Sequence, residues 1–289
     1  MKKRIKMLIP MVLVLALLMA CTGGEVKSPS GVSGDKNEPA KAAITIAETV
    51  LYDKGGVKVT ATGFEKSYMG QEVKLLVEND SAKTLIITSD AVSVNGYMMP
   101  ISSFYVEIAA GKKANESLHL LSSELEKSGI DTVAQIQFYI EVRDADDWQS
   151  TARSDLLTLS TSAAPYEQVV DDSGDVLYDA GGIRVVCKGL KQDVIWDGTV
   201  VFFMENNTGK EVYIYAENVS VNGFMQTASL WSTLRSGTKI IDGMSMINLS
   251  DIQIESIDQI KSIEFNLRIV DADTFKEIAT TDVLTLNFE

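Results

Sequence analysis

Histidine occurs once in this 289-residue sequence, at His119, and cysteine twice, at Cys21 and Cys187; basic residues number 26 against 40 acidic ones. Each scarcity excludes something. A histidine-based hydrolase triad needs a base beside a nucleophile and a third group to orient it. The one candidate, His119, falls at the end of an expected strand, just before Leu120 and Leu121. The formal net charge of −14 leaves no basic footprint for nucleic acid and works against anionic lipid surfaces as partners. No Gly-Lys-Ser/Thr sequence follows Gly55-Gly56 or Gly181-Gly182, so there is no phosphate-binding loop at these pairs. Both pairs come shortly after an aspartate and before an expected strand, and they read as turns. Carboxylates are plentiful, yet no pair stands apart from the general acidity, so none is selected for acid/base chemistry.

The chain begins with a basic stretch, Met1 to Lys6, followed by an apolar run from Met7 to Ala20 interrupted only by Pro10. That is a signal-peptide pattern, too short for an ordinary spanning helix. The run ends Leu18, Met19, Ala20, Cys21, which resembles the lipobox of bacterial lipoproteins. The resemblance implies cleavage before Cys21, diacylation of its thiol, and attachment to the bilayer on the extracytoplasmic face of the cell membrane. The alternative is a plain signal peptide with an incidental cysteine. Cleavage would remove Lys2, Lys3, Arg4 and Lys6, so 22 of the 26 basic residues would remain against 40 acidic ones, a net charge near −18. With Cys21 assigned to lipid, Cys187 has no intramolecular disulfide partner, and folding must rest on hydrophobic cores.

From residue 21 to about 45 the sequence is rich in Gly, Ser, Pro, Lys and Asp, too poor in apolar area to offset its ordering entropy, and reads as a flexible tether. Beyond it the chain repeats itself. Val50, Leu51, Tyr52, Asp53, Gly55, Gly56 returns as Val176, Leu177, Tyr178, Asp179, Gly181, Gly182, an offset of 126. Glu78-Asn79 returns as Glu205-Asn206, Ser93 to Gly96 as Ser220 to Gly223, and Asp144 to Asp146 as Asp271 to Asp273, all at 127. Offsets that slip only in polar loops are what two copies of one fold tolerate. The expected organisation is a signal peptide over 1–20, a tether over 21–45, one module over 46–161, a Pro165-containing linker over 162–174, and a second module over 175–289.

Within each copy the period is two. Ile136, Phe138, Ile140 and Val142 share one phase, as do Ile263, Phe265, Leu267 and Ile269 in the second copy. Val73, Leu75 and Val77 are matched by Val200, Phe202 and Met204, so both copies expect the same register over the same kind of core. About seven strands in roughly 115 residues predict an all-β fold, tandem immunoglobulin-like β-sandwiches, although a barrel or another sandwich topology would give nearly the same pattern. Ser123 and Glu126, with Gly129 as a stop, predict one short helical turn per copy; Ser250 and Gln253 hold the equivalent places. Cys187 shares the inward phase with Ile183 and Val185 and reads as a core thiol.

The arrangement resembles tandem-module surface lipoproteins of Gram-positive bacteria. The residues carrying this are the run ending in Cys21, the Leu51, Tyr52, Asp53, Gly55, Gly56 opening, and the segment Val94, Asn95, Gly96, Tyr97. The resemblance implies export and an immunoglobulin-like fold, and it brings no catalytic residues.

Two features are candidate sites. Asp144, Asp146 and Asp147, and Asp271 with Asp273, sit where loop carboxylates could help coordinate calcium, although neither loop has the full calcium-loop spacing. The Asn-Gly loops continue into Tyr97 and Met98 in one copy and into Phe224 and Met225 in the other. Asn95-Gly96 and Asn222-Gly223 predict tight hairpin turns. The aromatic and methionine pair after each turn reads either as a lid folded over the open end of the sandwich core or as a recognition tip. Because Pro100 ends the first hairpin early, the first loop is expected to be the more exposed and to carry any recognition surface. The leading functional expectation is a non-enzymatic binding or interaction lipoprotein that contacts an envelope protein or a glycan. A structural accessory lipoprotein is the alternative, and a carboxylate-based envelope enzyme comes third.

Overall fold

The computed structural model describes residues 43–192 and 197–288. The expected signal peptide, Cys21 and nearly all of the tether lie outside the described residues. Ala43–Glu289 form one compact unit, and among the described residues no helix is long and apolar enough to cross a membrane.

The first repeat contains β1 (Thr49–Lys54), β2 (Val57–Lys66), β3 (Gly70–Asn79), β4 (Leu85–Val94), β5 (Tyr97–Met98), β6 (Tyr105–Ile108) and β7 (Lys112–Leu121). A six-residue helix α1 (Ser122–Lys127) follows, then β8 (Gln135–Asp144), β9 (Ser150–Arg153) and β10 (Leu157–Ser160). The second repeat runs β11 (Asp175–Ala180), β12 (Ile183–Lys191), β13 (Gly198–Asn206), β14 (Val212–Val221), β15 (Phe224–Met225), β16 (Ala228–Ser229), β17 (Trp231–Leu234) and β18 (Thr238–Met246). Two 3₁₀ turns, Leu249–Ile252 and Ile257–Gln259, precede β19 (Ser262–Asp271), β20 (Glu277–Thr280) and β21 (Leu284–Asn287). The order is the same in both halves apart from the extra two-residue β16.

Alternation builds the layers. In the first repeat, sheet β1-β2-β3-β7 turns Val57, Val59, Val73, Leu75, Val77, Leu118 and Leu120 inward. They meet Leu85, Ile87, Ile136, Phe138, Ile140 and Val142 from the sheet containing β4 and β8. In the second repeat, Val185, Cys187, Val200, Phe202 and Met204 from β12 and β13 meet Ile214, Ile263, Phe265, Leu267 and Ile269 from β14 and β19. Phe202 and Phe265 touch edge to face at 5.9 Å between ring centres. The fold is all-β, two face-to-face sandwiches in tandem, with the layering of immunoglobulin-like domains and a β1-β2-β3 meander in the first sheet.

The repeats are joined by a strand contact. A parallel pairing of Tyr97 with Lys239 connects β5 to β18, and the Lys239 N–H donates to the Gly96 carbonyl at 2.8 Å. One sheet therefore runs through both halves in the order β10-β8-β4-β5-β18-β13-β12-β11. Residues 162–174 carry no strand but are held against the first repeat. Gln168 donates to the Gly129 carbonyl at 2.8 Å and accepts from the Asn95 side chain at 3.2 Å.

The helical element differs in detail from the expected capping box. α1 starts at Ser122, one residue before the expected N-cap Ser123, and its N-cap position is taken by Leu121, which has no side-chain acceptor. Glu124 in the first turn accepts from the Ile101 N–H at 2.8 Å and the Ser102 hydroxyl at 2.6 Å. Gly129 does follow the helix with φ +65°. In the second copy the capping box forms later, at Ser256 and Gln259, rather than at Ser250 and Gln253.

Candidate binding site

Both Asn-Gly turns form as their sequence requires. Asn95 and Gly96 have φ of +49° and +83°, and Asn222 and Gly223 +50° and +82°, the double left-handed geometry of a two-residue hairpin. Each asparagine side chain also staples its tip to the segment leading into the next long strand. Asn95 Oδ1 accepts from the Ala134 and Gln135 N–H groups, and Asn222 Oδ1 from those of Lys261 and Ser262. Asn95, Gly96, Asn222 and Gly223 thus have a structural task in the turn.

The expected difference in exposure between the tips is reversed. Tyr97 is 2% exposed and Met98 5%, whereas Phe224 is 57% and Met225 69% exposed. Pro100 does not decide the matter, because the neighbouring repeat covers the first tip. Tyr97 packs with Val186, Phe203 and Ile241 on the outer face of β12, β13 and β18, and Met98 enters the second repeat's core. Arg235 crosses the same joint, donating to Ser93 Oγ at 2.5 Å, and burial pulls its pKa down. The first tip is an internal joint, so the recognition surface expected there is withdrawn.

The acidic hairpins are turns with lysine partners. Lys210 Nζ lies 2.7 Å from Asp271 Oδ2, while Asp271 Oδ1 accepts from the Asp273 and Thr274 N–H groups at 3.1 and 2.9 Å. The lysine, helped by these backbone donors, lowers the Asp271 pKa to about 2. Asp144 pairs in the same way with Lys83 and accepts from the Asp146 N–H, and Asp147 accepts from the Gln149 N–H. Among the described residues, no three His, Cys, Asp or Glu side chains converge as metal ligands. His119 Nδ1 lies 3.2 Å from Glu72 Oε1 beside β3, and Cys187 is a buried core thiol whose pKa burial raises.

An aromatic strip on the outer face of the second repeat was not foreseen. β14 alternates Val212 and Ile214 inward with Tyr213 and Tyr215 outward, and the edge strand β17 sets Trp231 directly opposite Tyr215. The Trp231 and Tyr215 rings stack at 5.3 Å and 10°. Tyr213 continues the strip between Trp231, at 5.4 Å, and Phe275, at 5.7 Å. On the far side of Tyr215, Arg268 stands 5.7 Å from its ring and pairs with Glu217 and Glu277, each at 3.2 Å. Trp231 is 59% and Phe275 64% exposed. The register places Ile86, Thr88, Tyr105 and Trp148 at the corresponding positions of the first repeat, so there the middle of the strip is missing. The outward Tyr-x-Tyr in an alternating strand was the available sequence signal.

Trp231 also walls a cleft of about 240 Å³ between the repeats. The opposite wall comes from β4, where a bulge after Asp90, with Ala91 at φ +48°, breaks the ladder. Asp90, Glu211 and Asp242 line the cleft, and no lysine or arginine does. Asp90 pairs with Arg153 at 2.6 Å, and Asp242 accepts from the Ser232 hydroxyl at 2.6 Å. Burial, reinforced by Asp90, raises the pKa of Glu211.

No family model matches the chain, and no curated protein matches it. Among solved structures, a YadV chaperone is similar at 11% identity over 81% of this chain and 100% of its own, with a TM-score of 0.23. The exo-chitosanase CsxA of Amycolatopsis orientalis is similar at 13% identity over 78% of this chain and 26% of its own, TM-score 0.24. A red sea bream transglutaminase is similar at 10% identity, 85% and 30%, TM-score 0.20. Similarities of this size assign neither a ligand nor an activity.

Proposed function

We propose that the chain is a lipid-anchored, extracytoplasmic binding protein of the cell membrane that engages an envelope component, protein or glycan, without catalysing a reaction. Export and anchoring rest on the run that ends at Cys21 and resembles a lipobox. The observation that carries the binding assignment is the strip Trp231, Tyr215, Tyr213, Phe275, open on one face of a sheet whose other face is core. Aromatic side chains offer large contact area at small entropic cost and dominate recognition surfaces. The buried first tip favours the accessory role for the first repeat, which then acts as a spacer and clamp. The exposed strip favours recognition by the second.

The test is photo-crosslinking in cells. A photoreactive residue is placed at Trp231, at Phe275 and, as a control, at Tyr68, which is 96% exposed on the β2–β3 loop. Defined adducts at 231 and 275 but not at 68 are expected from the membrane fraction, and Cys21→Ser should move the protein out of that fraction. Equal labelling at all three positions, or none at 231, would reject the site.

A further inference from the structure

The second hairpin tip reproduces the backbone of the first and differs in what covers it. Both Asn-Gly pairs have the same two positive φ angles. Ser220 and Val221 pair with Met225 and Phe224 as Ser93 and Val94 pair with Met98 and Tyr97. The Gln226 N–H donates to the Val219 carbonyl at 2.9 Å, as the Met99 N–H does to that of Val92 at 2.8 Å. Asn222 ties its turn to Lys261 and Ser262 just as Asn95 ties the first to Ala134 and Gln135. The second tip is therefore held in shape by its own repeat, and docking it needs little further ordering of the backbone.

Phe224 and Met225 stand side by side on this rigid turn, both exposed. Aromatic rings and methionine are enriched at protein interfaces, the methionine because its flexible thioether fits many surfaces. Exposed apolar side chains are ordinary taken singly, but here the first tip shows where such a pair goes. Tyr97 lies on an apolar patch of Val186, Phe203 and Ile241 on the outer face of a sheet. Beside it the backbone runs parallel to the edge strand β18, and the Gly96 carbonyl accepts from the Lys239 N–H. Gly223, Phe224 and Met225 hold the positions of Gly96, Tyr97 and Met98.

We infer that the Phe224-Met225 tip docks onto another protein, and that its seat there is the outer face of a β-sheet, with an apolar patch for the ring next to an edge strand with a free N–H. A second copy of this chain does not supply that seat. Its second repeat already holds its own Tyr97, and the matching face of its first repeat sets the exposed, polar Asn115 where Ile241 stands. The contact goes beyond the aromatic strip. The strip lies at the Val212 end of β14, near the cleft that adjoins the first repeat, whereas the tip closes the Val221 end.

The test places a photoreactive residue at Met225 of the full-length chain and crosslinks in cells. The expected adduct is with a different protein, at a residue that sequencing of the linked peptide and the partner's structure locate on the outward face of a β-strand. Phe224→Asp in the same chain should remove this adduct with the melting temperature unchanged, because residue 224 is exposed. Trp231→Ala should leave the adduct in place. With the partner purified, Phe224→Ala should weaken binding at least tenfold, the loss expected of a ring at the centre of an interface. An adduct that survives Phe224→Asp, one mapped anywhere other than a sheet face of a different protein, or no adduct at Met225 overturns the inference. Crosslinking at Trp231 without any at Met225 would leave the binding function standing and remove only this contact.

Discussion

Asn79 and Asn206 show how much one side chain can fix. Both are fully buried, and each makes the same four bonds. Asn206 Nδ2 donates to the carbonyls of Lys210 and Leu234 at 2.7 and 2.8 Å, and Oδ1 accepts from the Thr208 N–H and hydroxyl at 2.9 and 2.8 Å. Asn79 repeats this with Lys83, Ile108 and Ser81. The Glu-Asn repeat in the sequence therefore records a buried loop clamp. Asn206→Ala would strand two carbonyls and two donors, and a loss of about 3 kcal/mol is expected in denaturant unfolding. Nearby, Asp271 has a native pKa of about 2 against an ordinary 3.8, chiefly through Lys210. Its contribution is complete above the ordinary value and disappears as the pH falls toward 2. Asp271→Asn should lower stability at neutral pH and flatten this acid limb of a melting-temperature profile, whereas added calcium should leave the wild-type profile unchanged.

Among the elements, the two hairpin tips have identical turns and opposite surroundings. Tyr97→Ala and Met98→Ala remove buried side chains, and each should cost about 3 kcal/mol. Phe224→Ala and Met225→Ala change exposed ones and should stay within about 0.5 kcal/mol of wild type. Equal losses at both tips would contradict the placement of the joint. The strands, their registers and the hairpin turns were legible because period-two alternation and Asn-Gly chemistry act within ten residues. The fate of Tyr97 was not, because the surface that buries it lies more than eighty residues away. Its trace is the run Val200, Val201, Phe202, Phe203, Met204 in β13, apolar in both phases, which is how a strand covered on both faces reads. Period-two alternation alone assigns only Val200, Phe202 and Met204 of that run to a core.

At the scale of the whole molecule, the two sandwiches depend on one another. Separating them exposes Tyr97 and Met98 on one side and Val186, Phe203 and Ile241 on the other. Fragments 46–161 and 175–289 should each melt below the intact chain, which should melt in a single transition by calorimetry. The candidate site was scarcely legible for the same reason: the Tyr213, Tyr215 alternation lay in the sequence, but the cleft exists only once β4 of one repeat faces β17 of the other.

The joint is also directional, tip of one repeat onto sheet face of the next, and such head-to-tail contacts polymerise unless an end is blocked. The second tip is free, so the block must lie on the first repeat. The registers set Thr60, Leu76 and Asn115 where the second repeat has Val186, Phe203 and Ile241. Thr60 is already covered within its own repeat, so of that trio it is exposed Asn115 that sets a polar side chain where Ile241 stands and makes the face a poorer seat for another molecule's Phe224. Asn115→Ile should therefore raise concentration-dependent association by light scattering, and a further Phe224→Asp should reverse it. An Asn115→Ile protein that associates no more than wild type would mean that something other than polarity at this face ends the series.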